Sequence, residues 1–219
     1  MNYQENGDGM KNSMEHWNGS QMCVIDTETT GLDPYWHEIL QICILPLDQN
    51  IKPRKDVLPF YIELRPEHPE RIDPEAMKVN RLNAAKISQR GFDQEKAKDM
   101  LREWYDKLEL PFTKSGNYQK RIIPLGQNFA FDKAFILHWL GVEMYNEFFE
   151  YHYADTMNTA HYLNDRAAMH GEKVPFSKIN LKYLASTLKI PHEFGHDALQ
   201  DCLVTAEVYR TLLLRGLLG

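Results

Sequence analysis

Apolar and polar positions change period several times along the chain, and each change predicts an element. Residues 1–19 are rich in Asn, Gly and Glu and carry no periodicity, which predicts a mobile arm ahead of one domain over 20–219. Met22–Asp26 and Glu38–Leu47 (EILQICILPL) are apolar runs of strand length. Leu58–Leu64 (LPFYIEL) is a third, set off by the basic, turn-like segment Lys52–Lys55. Helical spacing follows over Pro74–Asn83 and again over Phe92–Leu108. Arg121–Leu125 (RIIPL) predicts a fourth strand, with Pro124 keeping it near an edge or at the strand's end. Later helices are expected over Phe129–Leu140, Asp155–Leu163, Leu181–Leu188 and from about Asp197 to Leu214, with a polar loop over Asn164–Ser177. Strands first, then helices interleaved with a late strand, predict one α/β domain with a mixed β-sheet flanked by helices.

Composition narrows the classes of function. With 219 residues the chain can bury a sizeable single core. Cys23, Cys43 and Cys202 form no C-x-x-C pair, so they read as reduced, buried hydrophobes rather than a disulfide framework. No stretch reaches the ~18 apolar residues of a membrane span, and the N-terminus has no apolar leader core; a soluble, cytoplasmic protein with no membrane partner is expected. The net charge of −6 argues against a protein that coats duplex DNA through a broad basic surface. An enzyme that grips a single strand end stays open, because bound divalent cations supply positive charge locally.

Three acidic stations carry the candidate chemistry. In VIDTETTGLDP, Asp26 and Glu28 are two residues apart on a strand, so they share a face while Thr27 points opposite. Carboxylates held this close repel and perturb each other's pKa unless a cation sits between them. In GQNFAFDKAFILHWL, Asn128 is placed as an N-cap, which puts Asp132 in the first turns of an aromatic and aliphatic helix. In HDALQDCLVTAEVY, Ala198, Asp201, Cys202, Thr205, Val208 and Leu212 form an inward stripe, so Asp201 is the acid on the apolar face and Glu207 lies off it. A buried carboxylate needs a partner or a metal. His196, five residues before Asp201, is expected on the loop entering that helix.

Each station alone has a bland reading: a solvated strand end, an acid near a helix N-terminus, a partnered core acid. Their order is more specific. D-x-E on a strand, N-x-x-x-D at a helix start and H-x-x-x-x-D at the last helix resemble the DEDDh family of 3′→5′ exonucleases. The wording DTETTG is closer to the branches of the polymerase III proofreading subunit and RNase T than to oligoribonuclease. The resemblance runs from about Met22 to Leu214 and also takes in EILQIC and the DTM at 155–157. It implies a ribonuclease H-like fold and two divalent ions, Mg²⁺ or Mn²⁺. Asp26 would bridge both ions, Glu28 and Asp201 would hold one, and Asp132 would help hold the other. It further implies that His196 is the general base and that the reaction releases nucleoside 5′-monophosphates from single-stranded 3′ ends. DNA is favoured, with RNA trimming the alternative, and a DNA polymerase is a possible partner. Thr29, Thr30, Gly31 and Leu32 would meet the terminal nucleotide, together with Asn128 and Phe129, although aromatics at helical spacing more often fill a core.

Two other readings compete. His192–His196 spells HEFGH, the H-E-x-x-H zinc-protease pattern, which works only where both histidines share a helical face. Pro191 leaves His192 no deeper than an opening turn, and Leu199 and Cys202 stand where an extended zinc motif needs Gly and His. The match reads as accidental, which predicts that His192 stays outside the site. A nonenzymatic binding module would be expected to lack at least one catalytic residue, and none is lacking.

Overall fold

The computed structural model describes residues 20–113, 115–116, 118–192 and 197–217. The expected arm, residues 1–19, and the candidate base His196 lie outside the described residues. The central strand, β1 (Gln21–Thr29), is buried on both faces except at Asp26, and its first half, Met22–Ile25, is a continuous apolar run rather than an alternating one. β2 (Ile39–Pro46) is buried throughout, while β3 (Phe60–Glu63) alternates buried and exposed as an edge strand does. These three pair antiparallel; β4 (Ile122–Gly126) and the two-residue β5 (Ala154–Asp155) join in parallel, giving the order β3-β2-β1-β4-β5. The expected mixed sheet is therefore present. Pro124 sits where the short β5 does not reach, so its missing N–H costs no ladder bond on that side.

Helices α1 (Pro74–Asn80), α2 (Ala84–Arg90) and α3 (Gln94–Asp106) follow β3, each opened by an Asp or Asn side chain that accepts from a first-turn N–H. α4 (Phe129–Phe148) is interrupted at Gly141, whose φ of 76° suits a residue without Cβ. α5 (Thr156–Met169), α6 (Leu181–Leu188) and α7 (Ala198–Leu217) complete the chain. α5 extends to Met169 and occupies part of the segment expected to be loop.

The alternation of β1 splits the core in two. Cys23 and Ile25 face a cluster with Ile42, Leu101, Trp104, Phe129 and Phe135, under α3 and α4. Met22 and Val24 face Ala198, Cys202 and Ala206 of α7. Ala198, Cys202, Thr205, Val208 and Leu212 are all buried, as their spacing predicts. All three cysteines are buried free thiols. No helix among the described residues is long and apolar enough to cross a membrane.

Candidate active site

The two-layer packing decides where each acid goes. Asp26 and Glu28 continue the even-numbered face of β1, which is the α7 face, and there they meet Asp201. Carboxylate oxygens of the three lie within 4.8 Å of one another. A β-bulge between Glu28 and Thr29 disturbs the pairing with β2, as bulges beside functional sites often do, and ends the regular ladder at the carboxylates.

Asp132 arrives from the other side. α4 packs on the odd-numbered face, so its first turn meets β1 through Thr27. The Thr27 N–H and hydroxyl both donate to Asp132 Oδ1, at 2.9 and 2.7 Å. Asp132 is therefore placed against the strand between Asp26 and Glu28, outside the tight trio, yet its charge still acts strongly on Asp26.

Electrostatics follow from burial and like charge. Burial, then the charges of Asp132, Glu28 and Asp201, hold the Asp26 carboxyl well above the ordinary carboxylate range. Burial, then Asp201, Asp132 and Asp197, push Glu28 up to about 8. Burial raises Asp132 to about 7 against the opposing effect of the two Thr27 hydrogen bonds. Among the described residues, the charges acting on Asp26 and Glu28 come chiefly from other acids. Several acids forced together are a liability that a hard divalent cation removes, since such ions prefer oxygen ligands.

His192 does not stay outside the site. Its Nε2 lies 3.1 Å from Asp201 Oδ1, and both side chains are largely buried. The segment after α6 is not helical at His192, and α7 begins only at Ala198, so the zinc-protease geometry is missing where the motif would start. What the spacing argument missed is that a loop residue nine positions away can fold back onto a helical carboxylate. A network opens α7 beside it. Gln41 donates to the Tyr61 hydroxyl and accepts from Ala198 N–H, Tyr61 donates to Asp197 Oδ2 at 2.5 Å, and Asp197 Oδ1 accepts from Leu199 and Gln200 N–H. Asp197, which this network fixes, directly follows the candidate base His196 in the chain.

The expected substrate contacts divide. Thr29 and Thr30 are buried and hold the turn: the Thr29 hydroxyl donates to Gly31 C=O, and the Thr30 hydroxyl accepts from Glu38 N–H. Thr30 N–H is committed to Glu38 C=O. Gly31 is covered by the His37 ring, which a Cβ would approach to 2.2 Å, so any larger residue there would have to displace that ring. Leu32 is 77% exposed and open to a substrate. Asn128 is exposed in the left-handed region (φ 63°) and does not cap α4; Asp155 instead accepts from Phe129 N–H and also caps α5. Phe129 is fully buried against Tyr153, so its ring serves the core and not a base.

Comparison with known proteins bears on the fold and on the segment that carries the first two acids. A family model described as RNase_T: Exonuclease matches residues 23–114, which takes in Asp26 and Glu28 and ends before Asp132 and Asp201. No curated protein matches the chain significantly. Exonuclease I from Methylocaldum szegediense superposes with a TM-score of 0.67 at 20% identity, covering 90% of this chain and 41% of that one. Exonuclease I of E. coli, solved with a dA16 oligonucleotide, gives 0.67 at 16% identity over 89% of this chain and 41% of that one. Cell-death related nuclease 4 gives 0.68 at 15% identity over 91% and 65%. The chain thus spans about two fifths of the exonuclease I structures, and the fold shared with them is ribonuclease H-like.

Proposed function

We propose that this chain, which carries a DEDD-type exonuclease domain and is a nuclease, removes nucleotides one at a time from single-stranded 3′ ends by metal-assisted hydrolysis. The observation that carries the proposal is the convergence of Asp26, Glu28 and Asp201 within 4.8 Å, with Asp132 set beside them by Thr27. Asp26, Glu28 and Asp201 would hold one divalent ion, and Asp132 together with Asp26 would help hold a second. Mg²⁺ or Mn²⁺ held in such a pair stabilises the attacking and leaving oxygens of an in-line phosphodiester displacement. His192 orients the Asp201 carboxylate through its 3.1 Å contact. His196 takes the proton of the attacking water; its ordinary pKa of ~6.5 leaves it neutral at the pH of the cell. The exposed Leu32 packs against the terminal base, on a turn held rigid by Thr29, Thr30 and Asn80.

DNA is favoured over RNA. The DTETTGL turn resembles that of the DNA-directed branches, and the neighbouring exonuclease I of E. coli was solved with a deoxyoligonucleotide. A site of buried acids that accepts metal explains how a chain of net charge −6 can bind a polyanion at one strand end. The proposal is tested by end-labelled single-stranded DNA, RNA and mismatched duplex ends incubated with the protein in chelator, then with Mg²⁺ or Mn²⁺ restored. Activity should vanish in chelator, return with metal and be lost in Asp26→Asn; full activity in excess chelator would overturn it.

A further inference from the structure

A groove with a cavity of about 230 Å³ is lined in part by the two segments that follow the candidate active-site acids along the chain, with Glu67–Arg71 and the start of α3 closing the rest. One wall is α4. Asp132 lies in its first turn, and Phe135, His138 and Trp139 line the cavity, the last two about 9–11 Å further along the axis at the helical rise of ~1.5 Å per residue. The other wall is the segment Tyr35–Ile39, whose Glu38 and Ile39 pair with Thr30 and Thr29, directly after Glu28. Tyr35 and Trp36 are 81% and 53% exposed, which is costly for large aromatics unless something covers them. They are held in place all the same: the Arg71 guanidinium lies 4.4 Å from the centre of the Trp36 ring, and the Tyr35 ring meets His138 edge-on at 5.6 Å.

Most charged side chains of the groove are engaged, Arg71 with Glu70 at 3.8 Å. Lys98 pairs with Glu95 at 2.6 Å, and the Glu38 carboxylate accepts from Glu67 and His68 N–H, both at 2.9 Å. A lining of paired charges and open aromatic faces suits a neutral, flat ring and not a phosphate. The cavity is also smaller than the ~300–1,000 Å³ of a whole small-molecule pocket.

We propose that Tyr35, Trp36 and Arg71 form a stacking subsite for an unpaired nucleobase of the substrate strand, one or two nucleotides 5′ of the terminal residue. This deepens the nuclease reading and rests on it for the direction in which the strand runs. Stacking is tolerant of base identity, so the subsite sets the preference for single strands and the minimum substrate length rather than sequence. A paired end could not offer a splayed base to Trp36.

Two measurements on Trp36→Ala and Trp36→Phe test the subsite. The first is kcat/KM on an oligothymidylate relative to that on the p-nitrophenyl ester of thymidine 5′-monophosphate, which has no upstream base. The second is anisotropy of a labelled oligothymidylate bound in chelator, which needs no catalysis. Stacking on an aromatic is worth ~1–3 kcal/mol per base, so Trp36→Ala should lower the oligonucleotide-to-ester ratio and the affinity by about 5- to 150-fold, mainly through KM, with Trp36→Phe recovering most of the loss. An unchanged ratio and affinity in Trp36→Ala would overturn the subsite. Failure of the nuclease reading looks different: the wild type would hydrolyse neither substrate, while its oligonucleotide affinity would still fall on substitution of Trp36 if the subsite is real.

Discussion

Replacing Glu28 with Gln should make the metal-free protein more stable at alkaline pH, although it removes a functional residue. Burial and the negative charges of Asp201, Asp132 and Asp197 raise the Glu28 carboxyl from 4.5 to about 8. With a raised folded-state pKa, the folded protein keeps a proton that the unfolded chain releases. That contribution is complete below about pH 4.5 and is lost as pH rises through about 8. At ~1.4 kcal/mol per tenfold change, the whole displacement is worth roughly 5 kcal/mol. Asp26 and Asp132 share the strain and the Gln amide is itself buried, so about 2–3 kcal/mol should remain measurable. Urea unfolding in chelator at pH 6, 7, 8 and 9 reads this directly. The wild type should lose stability across the series, while Glu28→Gln declines less and lies above it at pH 9. Adding Mn²⁺ should reverse the order, because only the wild type keeps its full ligand set. A variant that is no more stable than the wild type at pH 9 in chelator would refute the claim that like charges strain the empty site.

Three other outcomes follow from named contacts. Thr27→Val removes the 2.7 Å hydroxyl donor to Asp132 and should lower kcat on a mononucleotide ester about tenfold, as expected for a hydrogen bond of ~1.5–3 kcal/mol to a charged group, with thermal stability nearly kept. His192→Ala should weaken Mn²⁺ binding about 10–100-fold by titration calorimetry, because it frees the Asp201 carboxylate; unchanged affinity would return His192 to a bystander. Tyr61→Phe breaks the bond to Asp197 Oδ2 and should reduce kcat more than metal affinity, since that bond holds the residue next to the proposed base His196 and touches none of the proposed metal ligands.

Much of this architecture is legible in the chain because burial on both faces leaves a plain mark. Met22–Ile25 of β1 and Ile42–Pro46 of β2 are continuous apolar runs for that reason, and the α7 stripe shows because one face of a long helix is buried along its length. The even spacing of Asp26 and Glu28 and the place of Asp201 on the stripe suffice to bring three acids to one face. What could not be read depends on contacts between distant segments. α2 escapes notice because only Ile87 of its seven residues is buried, and β5 is two residues long. Asn128 looks like a cap, but Asp155, 26 residues from Phe129, supplies the acceptor. His192 reaches Asp201 only because the chain turns back after α6, where no periodicity operates. Trp36 and Arg71 are 35 residues apart and show no shared pattern until the turn after β1 brings them together.

The central claim is that the acid cluster hydrolyses single strands from a free 3′ end. Time courses with 5′-labelled single-stranded DNA carrying either a 3′-hydroxyl or a blocked 3′ terminus, each with Mg²⁺ and with excess chelator, test it most directly. The expected result is a ladder that shortens one nucleotide at a time from the free 3′ end, release of nucleoside 5′-monophosphates, and no cleavage of the blocked strand or in chelator. Internal fragments from the blocked strand, or equal cleavage of both strands, would contradict it.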